Sequence, residues 1–301
     1  MNRVRTLIDA NRSYENGIRG QGIGVAVLDT GISPHPDFGN RIIGFKDILA
    51  GHQKHYDDCS HGTHVCGILG GSGLASRGKY RGIAPECNIV HIKVLDKRGN
   101  GNKNDVLRGI AWVLRNRVKY GLRILNISVG TVKESVKRDM QLVEAVEQAW
   151  DAGLVVIVAA GNMGPDPMSI TVPGNSKKVI TVGASDGCNK NVMRGVKHGY
   201  SGRGPTAECV FKPDIVAPGS MITSCNFQFE NNRTFYTVKS GTSMATPIVS
   251  GGIALLLSQQ PELSNVEVKM KLRASAVDVG LPKHQQGWGE MNLRRLLQND
   301  F

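Results

Sequence analysis

A serine, a histidine and an aspartate stand in sequence settings that suit nucleophilic catalysis. Ser243 lies between small residues in GTSMATP, directly before the apolar run IVSGGIALLL, so its hydroxyl would stand at a helix N-terminus. Free backbone N–H groups and the helix dipole stabilise negative charge there. A serine hydroxyl is a weak nucleophile until an adjacent base, oriented by a third group, activates it. His61 in HGTHVCG and Asp29 at the end of GIGVAVLD could supply those two groups.

The elements that must position these groups alternate between strand and helix. Amphipathic segments predict helices, one of them running from an N-cap at Asn104 to a stop at Gly121 and another ending at Gly153. Apolar, β-branched runs predict buried strands near 22–29, 88–96, 123–129, 154–160 and 178–184. This alternation predicts an α/β fold whose parallel sheet is covered on both faces. Groups at the carboxyl ends of its strands would then meet, where open α/β sheets place ligands.

The composition is that of a globular chain with a substantial core. Forty per cent of the 301 residues are hydrophobic, and 37 are glycine. The chain has no Pro/Ser-rich linker, low-complexity tract or internal repeat. We therefore expect one domain over residues 1–301, with 1–20 as an N-terminal lead-in and 282–301 as a C-terminal tail that packs on it.

The net charge of +12 raises the question of nucleic acid, but the lysines and arginines are scattered and no aromatic residues are interleaved with them. We expect no nucleic-acid partner, and attraction of acidic substrates stays open. No apolar run is long enough for a membrane span or resembles a signal peptide. The expectation is a cytoplasmic protein with its six cysteines reduced; a leader removed before residue 1 would imply secretion. The sequence does not determine the oligomeric state.

Taken together, these strings resemble the subtilisin-like serine proteases (subtilases). From about Gly20 to the helix after Ser243, the chain carries VAVLDTGI, HGTHVCGILGG, GIAP, NISVG, VAAGN, KPDIVAPG and GTSMATP. The order Asp, His, Ser is that of subtilisin. YRGIAPE and SGRGPT are similar to the cytoplasmic bacterial subtilases. The resemblance implies a three-layer subtilisin-like fold, with a mostly parallel twisted sheet and helices on both faces.

The resemblance also implies a serine endopeptidase. Ser243 would attack the scissile carbonyl to form an acyl-enzyme, His61 would move the proton, and Asp29 would orient the imidazole. Asn162, at the end of VAAGN, would donate to the developing oxyanion together with the Ser243 backbone N–H. His64 would pack behind the site. The chemistry would require no cofactor.

A peptide substrate would bind as an added, extended strand. Two segments match the family's edge strands, namely Gly99, Asn100 and Gly101 on one side and Ser128, Val129 and Gly130 on the other. Ala160, Gly161 and Asn162 would line the P1 pocket, and Thr171 would form its floor. Because many relatives have a smaller residue at the floor, we expect a shallow pocket that prefers medium-sized side chains.

Three alternatives stay open. Asp37 matches a calcium ligand of secreted relatives, although their Asn-rich calcium loop has no counterpart here. A zinc site could form on ligand spacing alone from His52, His55, Cys59, His61, His64 and Cys66. A catalytically silent subtilase acting as a regulatory binding protein is the third alternative, although Asp29, His61, Ser243 and Asn162 are all present.

Overall fold

A computed structural model of the protein describes residues 1–129, 136–186, 199–229 and 234–298, the side chains of 136–139 excepted. Its centre is a seven-stranded parallel sheet, and a separate antiparallel hairpin stands beside it. The sheet strands are β1 (Gly24–Asp29), β2 (Ile42–Asp47), β3 (Asn88–Lys93), β4 (Leu122–Ile127), β5 (Val155–Ala159), β6 (Ile180–Ala184) and β7 (Ile215–Ala217), and the hairpin strands are β8 (Ile222–Cys225) and β9 (Tyr236–Lys239). The order across the sheet is β2-β3-β1-β4-β5-β6-β7.

Helices cover the sheet in two layers. They are α1 (Asn2–Leu7), α2 (Asn11–Glu15), α3 (His61–Gly70), α4 (Lys103–Asn116), α5 (Val136–Asp151), α6 (Thr242–Gln259), α7 (Asn265–Ser275), α8 (Lys283–Gln286) and α9 (Leu293–Leu296). Helices α3 and α6 pack together against the sheet, and α4 and α5 form a second packed pair. The three-layer, mostly parallel α/β fold predicted from the sequence is confirmed.

Burial explains which strands the sequence revealed. Every residue of β1 and β5 is buried, as expected for parallel strands covered on both faces. The edge strand β2 is partly exposed, β7 has only three residues, and the β8–β9 hairpin lies outside the main sheet. These strands lack a continuous apolar signal, and the sequence analysis missed them.

Helix α4 shows how local sequence sets its boundaries. It buries Val106, Gly109, Ile110 and Val113, a spacing that forms one helical face. The expected N-cap at Asn104 is wrong. The cap is Asn102, whose side chain accepts a hydrogen bond from the Asn104 N–H at 2.9 Å, so that the helix starts at Lys103.

The two ends of the described chain touch. The Leu293 N–H donates to the Ile8 carbonyl at 2.8 Å, and α9 contacts α2. The Met1 ammonium donates to the Thr223 carbonyl of β8 at 3.2 Å. Among the described helices, none combines the length and the apolar character that a transmembrane span requires.

Candidate active site

The carboxyl ends of β1 and β4 bring two predicted site residues together. Leu28 pairs with Ile127 in the parallel register, so the next residues, Asp29 and Ser128, are neighbours at this edge of the sheet. Adjacent strands lie about 4.8 Å apart. Residues far apart in sequence therefore meet because of strand order.

Asp29 binds the imidazole of His61. The Nδ1 atom of His61 lies 2.7 Å from one carboxylate oxygen of Asp29 and 2.9 Å from the other. The Asp29 side chain is fully buried, whereas that of His61 is 25% exposed. Because a carboxylate only accepts hydrogen bonds, Nδ1 carries the proton. The Nε2 lone pair is then the basic position, on a ring that solvent or substrate can reach.

The environment of His61 moves its pKa in two directions. Burial lowers the pKa, and the Asp29 carboxylate raises it through its charge and its hydrogen bond. The nearby Lys239 ammonium opposes Asp29. The net result is a His61 pKa above the ordinary 6.5, so this imidazole holds a proton more readily than a free one.

A buried aspartate that the sequence analysis missed holds the start of α3. Asp57 accepts hydrogen bonds from the Thr63 N–H at 2.9 Å and from the Thr63 hydroxyl at 2.7 Å. The Thr30 hydroxyl donates to Asp57 at 3.0 Å and accepts from the Gly62 N–H at 2.9 Å. These bonds tie the residues beside Asp29 and His61 to each other. The available signal was the position of Asp57, four residues before His61 and at the start of a helix.

A second buried histidine fixes the loop after Asp29. His91 donates from Nδ1 to the Val27 carbonyl at 3.2 Å and accepts the Gly31 N–H at Nε2, 3.1 Å away. Burial lowers its pKa to about 4, which keeps the accepting nitrogen unprotonated. Gly31 has a φ of 134° and no room for a side chain, because a Cβ there would lie 2.1 Å from the Tyr56 carbonyl oxygen.

Ser243 lies in the first turn of α6, as predicted. Its hydroxyl donates to the Ser128 carbonyl oxygen at 2.7 Å. In this structure the hydroxyl is therefore anchored at the end of β4, beside Asp29, the partner of His61. The sequence analysis expected the hydroxyl to face the base, and a rotation about its Cα–Cβ bond is the movement that would turn it.

Ser128 is itself supported by a buried polar chain. The Asn126 amide donates to the Ser128 hydroxyl at 2.8 Å and accepts from the Ser250 hydroxyl of α6 at 2.8 Å. These side chains link β4 to the helix that carries Ser243. The sequence analysis missed Asn126 and Ser250. The signal was an asparagine inside the otherwise apolar run RILNISV, because a buried amide needs partners.

Asn162 lies beside the start of α6 with its amide orientation fixed. Its Oδ1 atom accepts from the Thr242 N–H at 3.0 Å and from the Thr242 hydroxyl at 3.1 Å. A backbone N–H requires an acceptor, which the amide NH2 group cannot be, so Oδ1 faces Thr242 and Nδ2 points the other way. That NH2 group lies near Gly241, where a Cβ would come within 3.4 Å of Nδ2. Asn162 is exposed and can donate to a bound group.

The backbone N–H of Ser243 complements this donor. Its helix neighbours are paired, Thr242 with Asn162 and Met244 with the Gly241 carbonyl at 3.0 Å. Within the described part of the chain, no hydrogen bond uses the Ser243 N–H. A free N–H in a first helical turn and an oriented amide form a pair of donors suited to negative charge.

The predicted P1-pocket residues are in contact. A Cβ on Gly161, whose φ is 90°, would lie 2.4 Å from the Thr171 side chain. The Thr171 N–H donates to the Ala160 carbonyl at 3.0 Å. Thr171 therefore lies directly against the segment that ends in Asn162, and its role as the floor of a pocket stays a prediction.

The predicted edge segments differ from expectation. Residues 96–100 form a turn, in which the Asp96 N–H donates to the Asn100 carbonyl and the Asn100 N–H donates to the Asp96 carboxylate, both at 2.9 Å. Asn100 therefore lies in a turn and not in a strand in this structure, and its place along a substrate-binding edge stays a prediction. Gly99 still faces the loop before His61, since a Cβ there would lie 3.7 Å from the Cys59 sulfur.

The second edge segment is only partly described. Ser128 is buried, and Val129 is half-buried against the core. Gly130 lies outside the described residues.

His64 lies behind the site, as predicted. Its Nε2 atom donates to the Ile222 carbonyl at 3.0 Å and lies 3.3 Å from that of Thr237, both in the β8–β9 hairpin. Burial lowers its pKa to about 3, so the ring stays neutral. His64 therefore joins α3 to the hairpin.

Comparison with known proteins identifies the family of this chain. The model of the subtilase family matches residues 20–289. The chain belongs to the subtilase family.

Its relatives are named as proteases. Serine protease AprX of Bacillus subtilis is 42% identical to this subtilase, over 90% of this chain and 66% of AprX. Subtilisin DY of Bacillus licheniformis is 34% identical, over 91% and 90% of the two chains. The chain spans only 39% of a third relative, minor extracellular protease Epr of Bacillus subtilis.

Solved structures agree with this assignment. Sphericase superposes on the subtilase with a TM-score of 0.76 at 29% identity, over 91% of this chain and 92% of sphericase. A cold adapted subtilisin-like serine proteinase superposes with a TM-score of 0.73, also at 29% identity, over 91% and 89% of the two chains.

Asp37 of this subtilase lies in a buried cluster away from the carboxyl edge of the sheet. Its carboxylate accepts from the Tyr236 hydroxyl at 2.8 Å and from the Ala75 N–H at 3.0 Å, and the Cys225 thiol lies 3.7 Å away. Together with His35, these side chains form the group closest to a metal site in the described residues. Calcium takes six to eight oxygen ligands, whereas this group offers one carboxylate, a thiol and an imidazole.

The six residues of the zinc alternative do not converge in the subtilase. His61 binds Asp29 and His64 faces the hairpin, while the one metal-like group among the described residues contains neither of them. The zinc interpretation is therefore wrong for this segment. The cysteines that the structure describes, Cys59, Cys66, Cys87, Cys209 and Cys225, are all free thiols.

Proposed function

We propose that this subtilase is a serine endopeptidase that uses Asp29, His61 and Ser243 as a catalytic triad and Asn162 with the Ser243 N–H as its oxyanion hole. The observation that carries the proposal is the hydrogen bond from His61 Nδ1 to the buried Asp29 carboxylate. It leaves a basic Nε2 at the sheet edge where the Ser243 hydroxyl is held on Ser128.

The reaction would proceed in two acyl-transfer steps. Ser243 leaves the Ser128 carbonyl, gives its proton to His61 Nε2 and attacks the scissile carbonyl carbon. Negative charge that develops on the carbonyl oxygen is stabilised by the Asn162 amide and the Ser243 N–H. His61 then protonates the leaving amine, and water cleaves the ester by the same route in reverse.

Labelling with a fluorophosphonate probe tests this proposal. The probe should modify the wild type at Ser243 and leave Ser243→Ala unlabelled and inactive on peptides. Ser258→Ala is the matched control, because Ser258 lies near the opposite end of α6 and donates only to the Leu255 carbonyl. A wild type that resists the probe, while folded like the control, would instead support the silent binding protein.

The substrate would bind in extended form beside Ser128 and Val129, with its P1 side chain against Ala160 and Gly161. Thr171 supports a shallow pocket, because its methyl and hydroxyl groups already contact the Gly161 backbone. Medium-sized P1 side chains should be preferred in a peptide library. Thr171→Gly should shift that preference toward Phe and Tyr, and a wild type that already prefers them would contradict the proposal.

Calcium binding at Asp37 and a cytoplasmic location stay predictions. A chelator that lowers Tm, with recovery on adding calcium, would establish the metal. Fractionation of the producing cells checks the location, which matters because one relative is by name extracellular. The proposed chemistry uses the triad side chains, Asn162, the Ser243 N–H and water.

A further inference from the structure

Lys239 is the last residue of β9, four positions before Ser243, and its side chain lies on the same face of the hairpin as that of Ile222. Lys239 pairs directly with Ile222 in the antiparallel hairpin, and paired residues share one face. Ile222 is 1% exposed, while Val238, on the alternate face, is 46% exposed. The Lys239 side chain therefore leaves the hairpin on its buried face, and His64 of α3 binds the carbonyl of its hairpin partner Ile222.

The Lys239 ammonium has no fixed partner in the described residues. No ion pair or hydrogen bond joins it to them, although the side chain is half-buried. Because His64 in the first turn of α3 binds the carbonyl of Ile222, the residue paired with Lys239, Lys239 lies close to this turn, and its charge lowers the pKa of His61 and His64. A cation near a helix N-terminus opposes the helix dipole. None of the described residues neutralises the Lys239 ammonium. An acidic group of a ligand is therefore suited to pair with it.

The neighbourhood of His61 defines which part of a substrate Lys239 would meet. In the proposed reaction His61 delivers its proton to the leaving amine, so the leaving group lies on the His61 side of Ser243. The acyl side is occupied by different segments, those after β4 and β5. Lys239 belongs to neither segment and stands on the hairpin side of His61.

We propose that Lys239 makes this subtilase prefer peptides with an acidic side chain just after the scissile bond, at P1′ or P2′. This inference rests on the proposed endopeptidase function. An Asp or Glu carboxylate there would pair with an ammonium that is already close to the reacting groups. The pair would be screened by salt, because this part of the site is open to solvent.

Matched peptides measure the preference directly. Pairs that differ only as Asp against Asn, placed at P1′ or at P2′, are compared by kcat/KM in the wild type, in Lys239→Met and in Lys239→Glu. The wild type should favour Asp by about twofold to fivefold at one of the two positions, as a partly exposed charge pair allows. Lys239→Met should abolish the preference, and Lys239→Glu should reverse it toward a Lys-containing peptide.

The matched control is Lys119→Met, which removes the same charge from the turn between α4 and β4, at the amino edge of the sheet. It should keep the full preference, which 0.5 M salt should reduce in the wild type. An equal rate on Asp and Asn peptides in the wild type, or a preference that survives in Lys239→Met, would overturn the inference while leaving the endopeptidase in place. Absence of any cleavage and of fluorophosphonate labelling would overturn the proposed function itself.

Discussion

Among the residues that the structure describes, two aspartate–histidine pairs have opposite hydrogen bonding. At the site, His61 donates from Nδ1 to the Asp29 carboxylate at 2.7 Å. In the buried cluster, His35 donates from Nε2 to the Phe235 carbonyl at 2.9 Å, and its Nδ1 accepts the Asp37 backbone N–H at 3.1 Å. The same residue types therefore hold their proton on different nitrogens.

This difference decides what each histidine can do. His61 keeps Nε2 basic on a partly exposed ring, and Asp29 raises its pKa against the effect of burial. His35 uses both nitrogens inside the protein, and burial lowers its pKa even though the Asp37 charge opposes that shift. The comparison teaches that a neighbouring carboxylate makes a histidine a useful base only when it binds the ring nitrogen directly and leaves the other nitrogen free.

Replacement of the two aspartates should break the comparison most clearly. Asp29→Asn should reduce kcat by roughly 10⁴-fold, a magnitude known from other serine proteases, because the amide no longer secures the working tautomer. Asp37→Asn should act mainly on Tm, since Asp37 serves the fold. Kinetics normalised to folded protein by circular dichroism check both, and comparable kcat values for the two variants would contradict the assignment.

Replacement of Asn162, the proposed oxyanion donor, should have the next largest effect on kcat. Asn162→Ala should lower kcat by roughly 10²–10³-fold, the range known for the corresponding donor of subtilisin, with little change in KM. The cause is loss of a donor that acts mainly in the transition state. Asn104→Ala, which replaces an exposed asparagine of α4, is the control. An increase in KM alone would show that Asn162 binds substrate without serving the oxyanion.

Replacement of Tyr236 tests how much the buried Asp37 cluster contributes to stability. Tyr236→Phe removes the hydroxyl that donates to Asp37 and should lower the free energy of unfolding by about 1.5–3 kcal/mol, as for hydrogen bonds to charged groups. Urea denaturation measures this loss. Tyr120→Phe, in the turn before β4, should cost less. If the two variants were equally stable, the Asp37 cluster would contribute nothing special.

The pH dependence should show the smallest effect and should distinguish His61 from His35. Because His61 must be neutral to accept the serine proton, kcat/KM should rise with pH through a midpoint above 6.5. In Asp29→Asn that midpoint should fall, since the largest opposition to the effect of burial is then lost. The lowered pKa of His35 acts on stability instead of activity: its contribution should be complete above pH 6.5 and decline as the pH falls toward protonation of that ring. A midpoint unchanged by Asp29→Asn would contradict the pairing.

Local sequence was sufficient for the strands and helices with strong patterns. The buried strands β1 and β5 read as continuous apolar runs, and GTSMATP ahead of an apolar run located the start of α6. The motif order also predicted Asp29, His61 and Asn162 as site residues. These features can be predicted from the sequence because each depends on neighbours within a few positions along the chain.

Other features needed the folded chain. Asp57 and Asn126 act through partners far away in sequence, and only strand order brings Asp29 beside Ser128. The turn at Asn100 includes a hydrogen bond to the Asp96 carboxylate. The motif match to an edge strand did not predict this turn.

The sequence by itself determined the fold class, the family and the residues with catalytic potential, because apolar periodicity and local motifs are properties of short segments. The tertiary structure alone decided which nitrogen of each histidine carries the proton, where the Ser243 hydroxyl is held and which way Lys239 faces. Those properties depend on contacts between distant segments, whose geometry is set when the sheet and its helices pack together.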